Sequence, residues 1–139
     1  MTSFTTHSAE ETTALGQQLA GEISPGSVVL LRGDLGAGKT TLVKGIAEGF
    51  HAAAAEDVTS PTFTLIHEYR GSGVTLYHID LYRIDTQREL DTLALDDLME
   101  PDNILLIEWG EKFERFKRER EVEIAIEHLG GDDRRITLT

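Results

Sequence analysis

Apolar positions along this chain fall into two rhythms. In "SAEETTALGQQLAGEI", Leu15, Leu19 and Ile23 recur every four residues, which sets them on one face of a helix. Ser8 stands before that face with Glu11 three residues later, the spacing of a capping box, and "SPG" ends the segment. "SVVLLRG" is a short apolar run without alternation, the pattern of a strand buried on both faces near the middle of a parallel sheet. From Lys39 to about Phe50 the spacing of Leu42, Ile46 and Phe50 is helical again. "HAAAAEDV" is a connector with room for one more helical turn.

Alternation takes over beyond it. "TFTLIHEYR" and "VTLYHID" flank "GSG" and read as a β-hairpin. "TQRELDTLALDDLME" is helical and acidic, in two pieces, and "NILLIEW" is a second buried strand. "EKFERFKRERE" is charged on all sides and reads as a solvated helix or loop. "VEIAIEHL" and "RRITLT", separated by "GGDD", form a second hairpin. No repeat, low-complexity tract or linker interrupts the series. The expectation is one α/β domain over residues 1–139, a mostly parallel central sheet flanked by helices, with antiparallel hairpin strands.

Composition narrows the class. A chain of 139 residues, 40% hydrophobic, supports one core and little more. The absence of cysteine excludes disulfides and thiolate metal sites and suits a reducing compartment. No apolar run approaches the ~20 residues of a membrane span. "MTSFTTHSAEETT" lacks a basic segment followed by an apolar one, so a cytoplasmic protein is expected. A formal charge of -12 opposes unaided binding to a nucleic-acid backbone.

"GDLGAGKT" carries the chemistry. Gly33, then four residues, then Gly38, Lys39 and Thr40 match G-x-x-x-x-G-K-[ST], the P-loop pattern. Chance supplies such a match in roughly 0.5% of chains of this length and composition, and here a strand precedes it and a helix follows. Glycines let successive backbone N–H groups turn toward a phosphate while the next helix aims its positive end at the same point. The nucleotide cradle is therefore expected at Gly33, Gly36, Ala37, Gly38, Lys39, Thr40 and Thr41, with Lys39 on the β- and γ-phosphates and the Thr40 hydroxyl on Mg²⁺. A single asparagine, Asn103 followed by Ile104, leaves no N-K-x-D motif for guanine, so ATP is favoured. A small-molecule kinase is the rival enzyme, although two terminal hairpins leave little chain for a lid and an acceptor pocket.

Two carboxylates end strands. Asp80 closes "VTLYHI" and Glu108 closes "NILLI", and strand ends beside a phosphate loop are where ligands collect. Either fits a metal-holding or water-orienting group. Pro61 keeps Ser60 extended, so "SPTF" presents its hydroxyls as a switch segment would. Trp109 would face away from Glu108 if the strand ran on. The five histidines lack metal-ligand spacing, and His67 and His78 read as cross-strand neighbours with a structural role.

"SPTFTLIHEY" (60–69), "YHIDLYR" (77–83) and "IEWGE" (107–111), together with "GDLGAGKTTLVKG", resemble the bacterial tRNA threonylcarbamoyladenosine biosynthesis ATPase family, TsaE (YjeE), from about Thr12 to Leu138. The resemblance implies a P-loop NTPase fold and a Mg²⁺-dependent ATPase. It implies action with TsaB and TsaD on the adenosine beside the tRNA anticodon, with tRNA met only through that complex. It assigns Glu108 to the magnesium site together with Thr40, and makes Asp80 a second essential acid near the nucleotide. It sets Trp109 near the nucleotide or the partner, places Thr12 or Thr13 at the base or ribose, and brings in Arg134 or Arg135 of "RRITL". Of these we assign Thr12 and Arg135. The catalytic expectation is Lys39, Asp80 and Glu108. A nucleotide-gated binding module stays open beside the enzyme, because switch segments serve both.

Overall fold

The four apolar residues that open β2 (Val28–Arg32) are buried on both faces, so this strand takes the centre of the sheet. The structure, a computed structural model, describes residues 1–34 and 36–139. Its elements are β1 (Thr2–Thr6), α1 (Ala9–Ala20), β2, α2 (Lys39–Gly49), β3 (Ile66–Arg70), β4 (Thr75–Asp80), α3 (Gln87–Thr92), β5 (Asn103–Glu108), β6 (Val122–Gly130) and β7 (Asp133–Leu138). Short 3₁₀ turns occupy Ala55–Asp57, Leu95–Leu98, Gly110–Lys112 and Glu114–Lys117.

All seven strands join one sheet in the order β1-β7-β6-β2-β5-β4-β3. Pairs β6–β2, β2–β5 and β5–β4 are parallel, whereas β1–β7, β7–β6 and β4–β3 are antiparallel. The sheet is thus mixed, with a parallel centre and a hairpin at each margin. Period-two alternation sorts the core into two layers. Val29, Leu31, Ile104 and Leu106 face α1 and α2; Val28, Leu30, Leu105 and Ile107 face α3 and the 3₁₀ turns.

Most expected elements stand where periodicity set them. Ser8 caps α1, its hydroxyl accepting from the Glu11 N–H. Glu11 reaches back to the N–H of His7 rather than to that of Ser8. β1 was not foreseen: "TSFTT" offers one large apolar residue, Phe4, and becomes a strand by pairing along β7 at the sheet edge. The strand expected from Thr62 starts only at Ile66, because Leu65 adopts φ 72° and its N–H closes a turn onto the Pro61 carbonyl at 2.6 Å.

"EKFERFKRERE" is a correction. Phe113 and Phe116 are buried in the second core layer, Phe116 completely. Phe113 is extended between two 3₁₀ turns and Phe116 lies in the second, so two rings sink inward from a segment otherwise made of charged residues. Arg115 there bonds Asp96 and Glu119. No helix among the described residues is long and apolar enough to cross a membrane.

Helices α1 and α2 meet backbone to backbone. A Cβ on Gly16 would lie 2.5 Å from the Leu42 carbonyl oxygen, and one on Gly45 would overlap the Thr13 carbonyl. That approach anchors the start of α2. Gly45→Ala is therefore expected to lower stability in urea denaturation by about 3 kcal/mol or to prevent folding, since neither backbone can yield. Gly21→Ala, where the backbone is right-handed helical and a Cβ has room at 3.4 Å, is expected to change it by less than about 1 kcal/mol. Equal midpoints for the two variants would show that the helices do not touch at Gly45.

Candidate functional site

β2, β5 and β4 run parallel, so their C-terminal ends share one edge, and the chain leaves β2 there through the glycine loop. The register pairs Leu31 with Glu108, and Glu108 with Asp80. Asp80, His78 and Leu76 alternate onto the α2 face of β4, as do Glu108 and Leu106 on β5. The carboxylates expected at strand ends are thus brought side by side beneath the start of α2. Both are buried, each 4% exposed.

The loop itself is built on left-handed glycines. Gly36 has φ 78° and Gly38 φ 107°, values that disfavour any side chain, while Gly33 packs so closely on β6 that a Cβ would lie 2.7 Å from the Ile126 carbonyl oxygen. Leu35 lies outside the described residues. Gly38 is the N-cap of α2 and offers no side-chain cap. The N–H groups of Lys39, Thr40 and Thr41 therefore open α2 with no intrahelical acceptor and no cap. Alternation of left-handed and helical backbone in such a stretch turns its N–H groups inward, a concavity suited to an anion.

Lys39 is 6% exposed. Its ammonium donates to the Gly33 carbonyl at 2.6 Å and lies 3.5 Å from Glu108 Oε1. The other oxygen, Oε2, is 2.5 Å from His78 Nε2. Burial works to raise the Glu108 carboxyl, but the His78 hydrogen bond and the Lys39 ammonium outweigh it, so the group is held below the ordinary carboxylate value and is ionised at neutral pH. Asp80 is held differently: Oδ1 accepts from the Tyr82 N–H at 2.9 Å and Oδ2 from the Thr62 hydroxyl at 3.2 Å. Thr62 in turn bonds Ser60 at 2.7 Å, so "SPTF" hangs on Asp80 through its hydroxyls.

Trp109 does not continue β5. The strand stops at Glu108, and Trp109 takes φ 64°, a costly conformation for a bulky residue. The turn swings its ring over the Lys39 ammonium, 4.4 Å from the ring centroid, and against Tyr82 at 5.2 Å. The expectation that it faces away along the strand is replaced by contact with the loop lysine.

The loop borders two clefts. One of about 600 Å³ runs along Gly33, Gly36, Ala37 and Trp109. A small one of about 70 Å³ lies between Thr12, Gly38, Thr41 and Arg134. Thr12 is buried and shares a 2.7 Å hydrogen bond with Thr6, whereas Thr13 bonds only back to Ala9. Of the two arginines it is Arg134 that reaches the loop, its Nε donating to the Ala37 carbonyl at 2.8 Å. Arg135 alternates to the other face of β7 and pairs with Glu127 at 3.0 Å. Sequence could not separate these neighbours; strand parity does. It also missed His78: the register does pair it with His67, but its ring turns to Glu108.

Could these residues hold a nucleotide and a divalent cation? The uncapped, left-handed start of α2 fits a phosphate, and the buried Lys39 ammonium supplies charge beside it. Among the described residues no three histidine or acidic side chains form a metal cage. The Thr40 hydroxyl and the Glu108 carboxylate offer oxygen donors of the kind Mg²⁺ takes, and Mg²⁺ needs few from protein because phosphate oxygens and water complete its shell.

The comparisons with known proteins give the family. The family model described as "Threonylcarbamoyl adenosine biosynthesis protein TsaE" matches residues 6–136. The tRNA threonylcarbamoyladenosine biosynthesis protein TsaE of Bacillus subtilis (strain 168) is 42% identical over 130 residues, covering 94% of this chain and 80% of that protein. Its namesake from Treponema pallidum (strain Nichols) is 37% identical over 131 residues, covering 94% and 95%. A crystal structure of Bacillus subtilis YdiB superposes with a TM-score of 0.73 at 35% identity, covering 99% of this chain and 83% of that one. The match runs from the last residue of β1 into β7 with the loop, Asp80 and Glu108 inside it, and this chain belongs to the TsaE family.

Proposed function

We propose that this chain is a P-loop, Mg²⁺-dependent ATPase that serves threonylcarbamoyladenosine modification of tRNA in the cytoplasm, acting with the TsaB–TsaD complex. The observation that carries the reading is the start of α2: left-handed Gly36 and Gly38, three N–H groups without intrahelical acceptors, and a buried Lys39 beside an ionised Glu108. The relatives' names supply the pathway.

In this reading the N–H groups that open α2 and the Lys39 ammonium receive the β- and γ-phosphates. Lys39 exchanges its bond to the Gly33 carbonyl for phosphate oxygens. The Thr40 hydroxyl and Glu108 would hold Mg²⁺, which would neutralise charge developing on the γ-phosphate. Thr12 and Arg134 line the small cleft at the loop's far end and take the ribose or base side. Asp80 links the site to the switch segment, because its two oxygens hold Thr62 on one side and the Tyr82 N–H on the other. A γ-phosphate that reorders "SPTF" is therefore sensed by the "DLYR" segment as well.

Three outcomes test this. Lys39→Met, which keeps the aliphatic stem, should weaken ATP binding by calorimetry by about 1.5–3 kcal/mol, roughly 10- to 150-fold, the worth of a hydrogen bond to a charged group. Unchanged affinity would misplace the phosphate cradle. Glu108→Ala should lose the Mg²⁺-dependent part of nucleotide binding, while Asp80→Ala should bind normally and lose turnover. Equal loss of affinity in both would end that division of labour. Finally, at -12 the isolated protein should bind tRNA negligibly in gel shifts at physiological salt, and its affinity for purified TsaB–TsaD should depend on ATP. Micromolar, salt-sensitive tRNA binding, or equal partner affinity with ATP, ADP and no nucleotide, would refute the respective half.

A further inference from the structure

We infer that His78 is the positioning residue for Glu108: it holds Oε2 in place and leaves Oε1 as the one carboxylate oxygen turned to Lys39 and the glycine loop. The contact stands on the geometry alone, while its consequence for Mg²⁺ rests on the ATPase reading above.

His78 occupies β4 between Leu76 and Asp80 on the face covered by α1 and α2, and its register partner on β5 is Leu106. Leu76 and Leu106 are wholly buried, and so is His78. An imidazole placed in such an apolar layer must find a polar partner inside the protein. Among the described residues it has one: Nε2 meets Glu108 Oε2 at 2.5 Å, and Nδ1 meets nothing. A carboxylate oxygen accepts, so Nε2 carries the hydrogen, and the ring serves as a single-headed donor aimed at one oxygen.

The two anchors divide the carboxylate. Lys39 stands 3.5 Å from Oε1, and His78 has taken Oε2. Without the imidazole the carboxylate is free to rotate, and Oε1 is no longer held toward the glycine loop. Partners that fix the unused atom of a metal ligand act in this way in many metal sites. For packing alone, a leucine or isoleucine at 78 would match its neighbours better.

Two variants separate positioning from packing. His78→Leu fills the volume without a donor; His78→Gln keeps an N–H donor of similar reach. In His78→Leu the gain in ATP affinity on adding Mg²⁺, measured by calorimetry against a chelator control, should fall by about 10-fold or more, while affinity in chelator stays within about twofold of wild type. His78→Gln should restore most of the gain. In the nucleotide-free wild type, ¹⁵N spectra of the imidazole should show a solvent-shielded proton on Nε2 that shifts in Glu108→Gln. A folded His78→Leu with the full Mg²⁺ gain, or a His78→Gln no better than it, overturns the proposal. Should His78→Leu not fold, His78→Gln and the imidazole spectra decide. If the wild type binds no ATP, the ATPase reading falls, and an Nε2 proton indifferent to Glu108→Gln separately removes the contact.

Discussion

A buried, ionised carboxylate sets the terms for this structure. Glu108 is 4% exposed, and an isolated carboxylate in that position would cost more than a domain of this size can spare. It is tolerated because Lys39 arrives from α2 and His78 from β4. Removing one partner of such a buried group typically costs about 3–5 kcal/mol. Three elements distant in sequence must therefore close on one point. Their meeting depends on β5 lying between β2 and β4, and on the close packing of α1 and α2 through glycines.

The parts of this arrangement that sequence exposed are those written in local periodicity. The apolar run of β2, the helical spacing of Leu42 and Ile46, and the glycine spacing each state a backbone conformation within a dozen residues. Asp80 and Glu108 were legible as strand ends, and parallel pairing then made them neighbours. What stayed hidden depends on tertiary context. β1 exists because β7 offers it an edge, and nothing in "TSFTT" requires a strand. Phe113 and Phe116 looked exposed because charge dominates their segment, which folds as two short 3₁₀ turns with Phe113 extended between them. Choosing Arg134 over Arg135 needed the parity of β7, which the hairpin register sets. His78 had no signature, since its partner is thirty residues away on another strand.

Trp109 shows how local strain and the buried charge cooperate. An aromatic residue at φ 64° is held only where its surroundings compensate. Here its ring covers the Lys39 ammonium and leans on Tyr82. The cation–π contact is worth more inside a partly desolvated site than on the surface, so the strain and the burial of Lys39 sustain each other. Because Tyr82 also donates its N–H to Asp80, a displacement of Lys39 is felt at the segment that follows β4.

An acidic protein proposed to bind a nucleotide at its glycine loop presents an apparent conflict, and distance resolves it. At physiological ionic strength charges are screened over about 8 Å, so the surface carboxylates that make up the -12 weaken quickly with separation. Hydrogen-bond donors in contact with an anion are not screened at all. The uncapped N–H groups of α2 and the Lys39 ammonium lie at the loop itself, and Arg134 is fastened to it through the Ala37 carbonyl. A compact anion that fits the loop meets these donors directly. A long polyanion must instead cross the negative field over its whole contact. In the function proposed above, the same charge distribution admits a nucleotide and discriminates against a nucleic-acid backbone, by the size of the anion rather than by its chemistry.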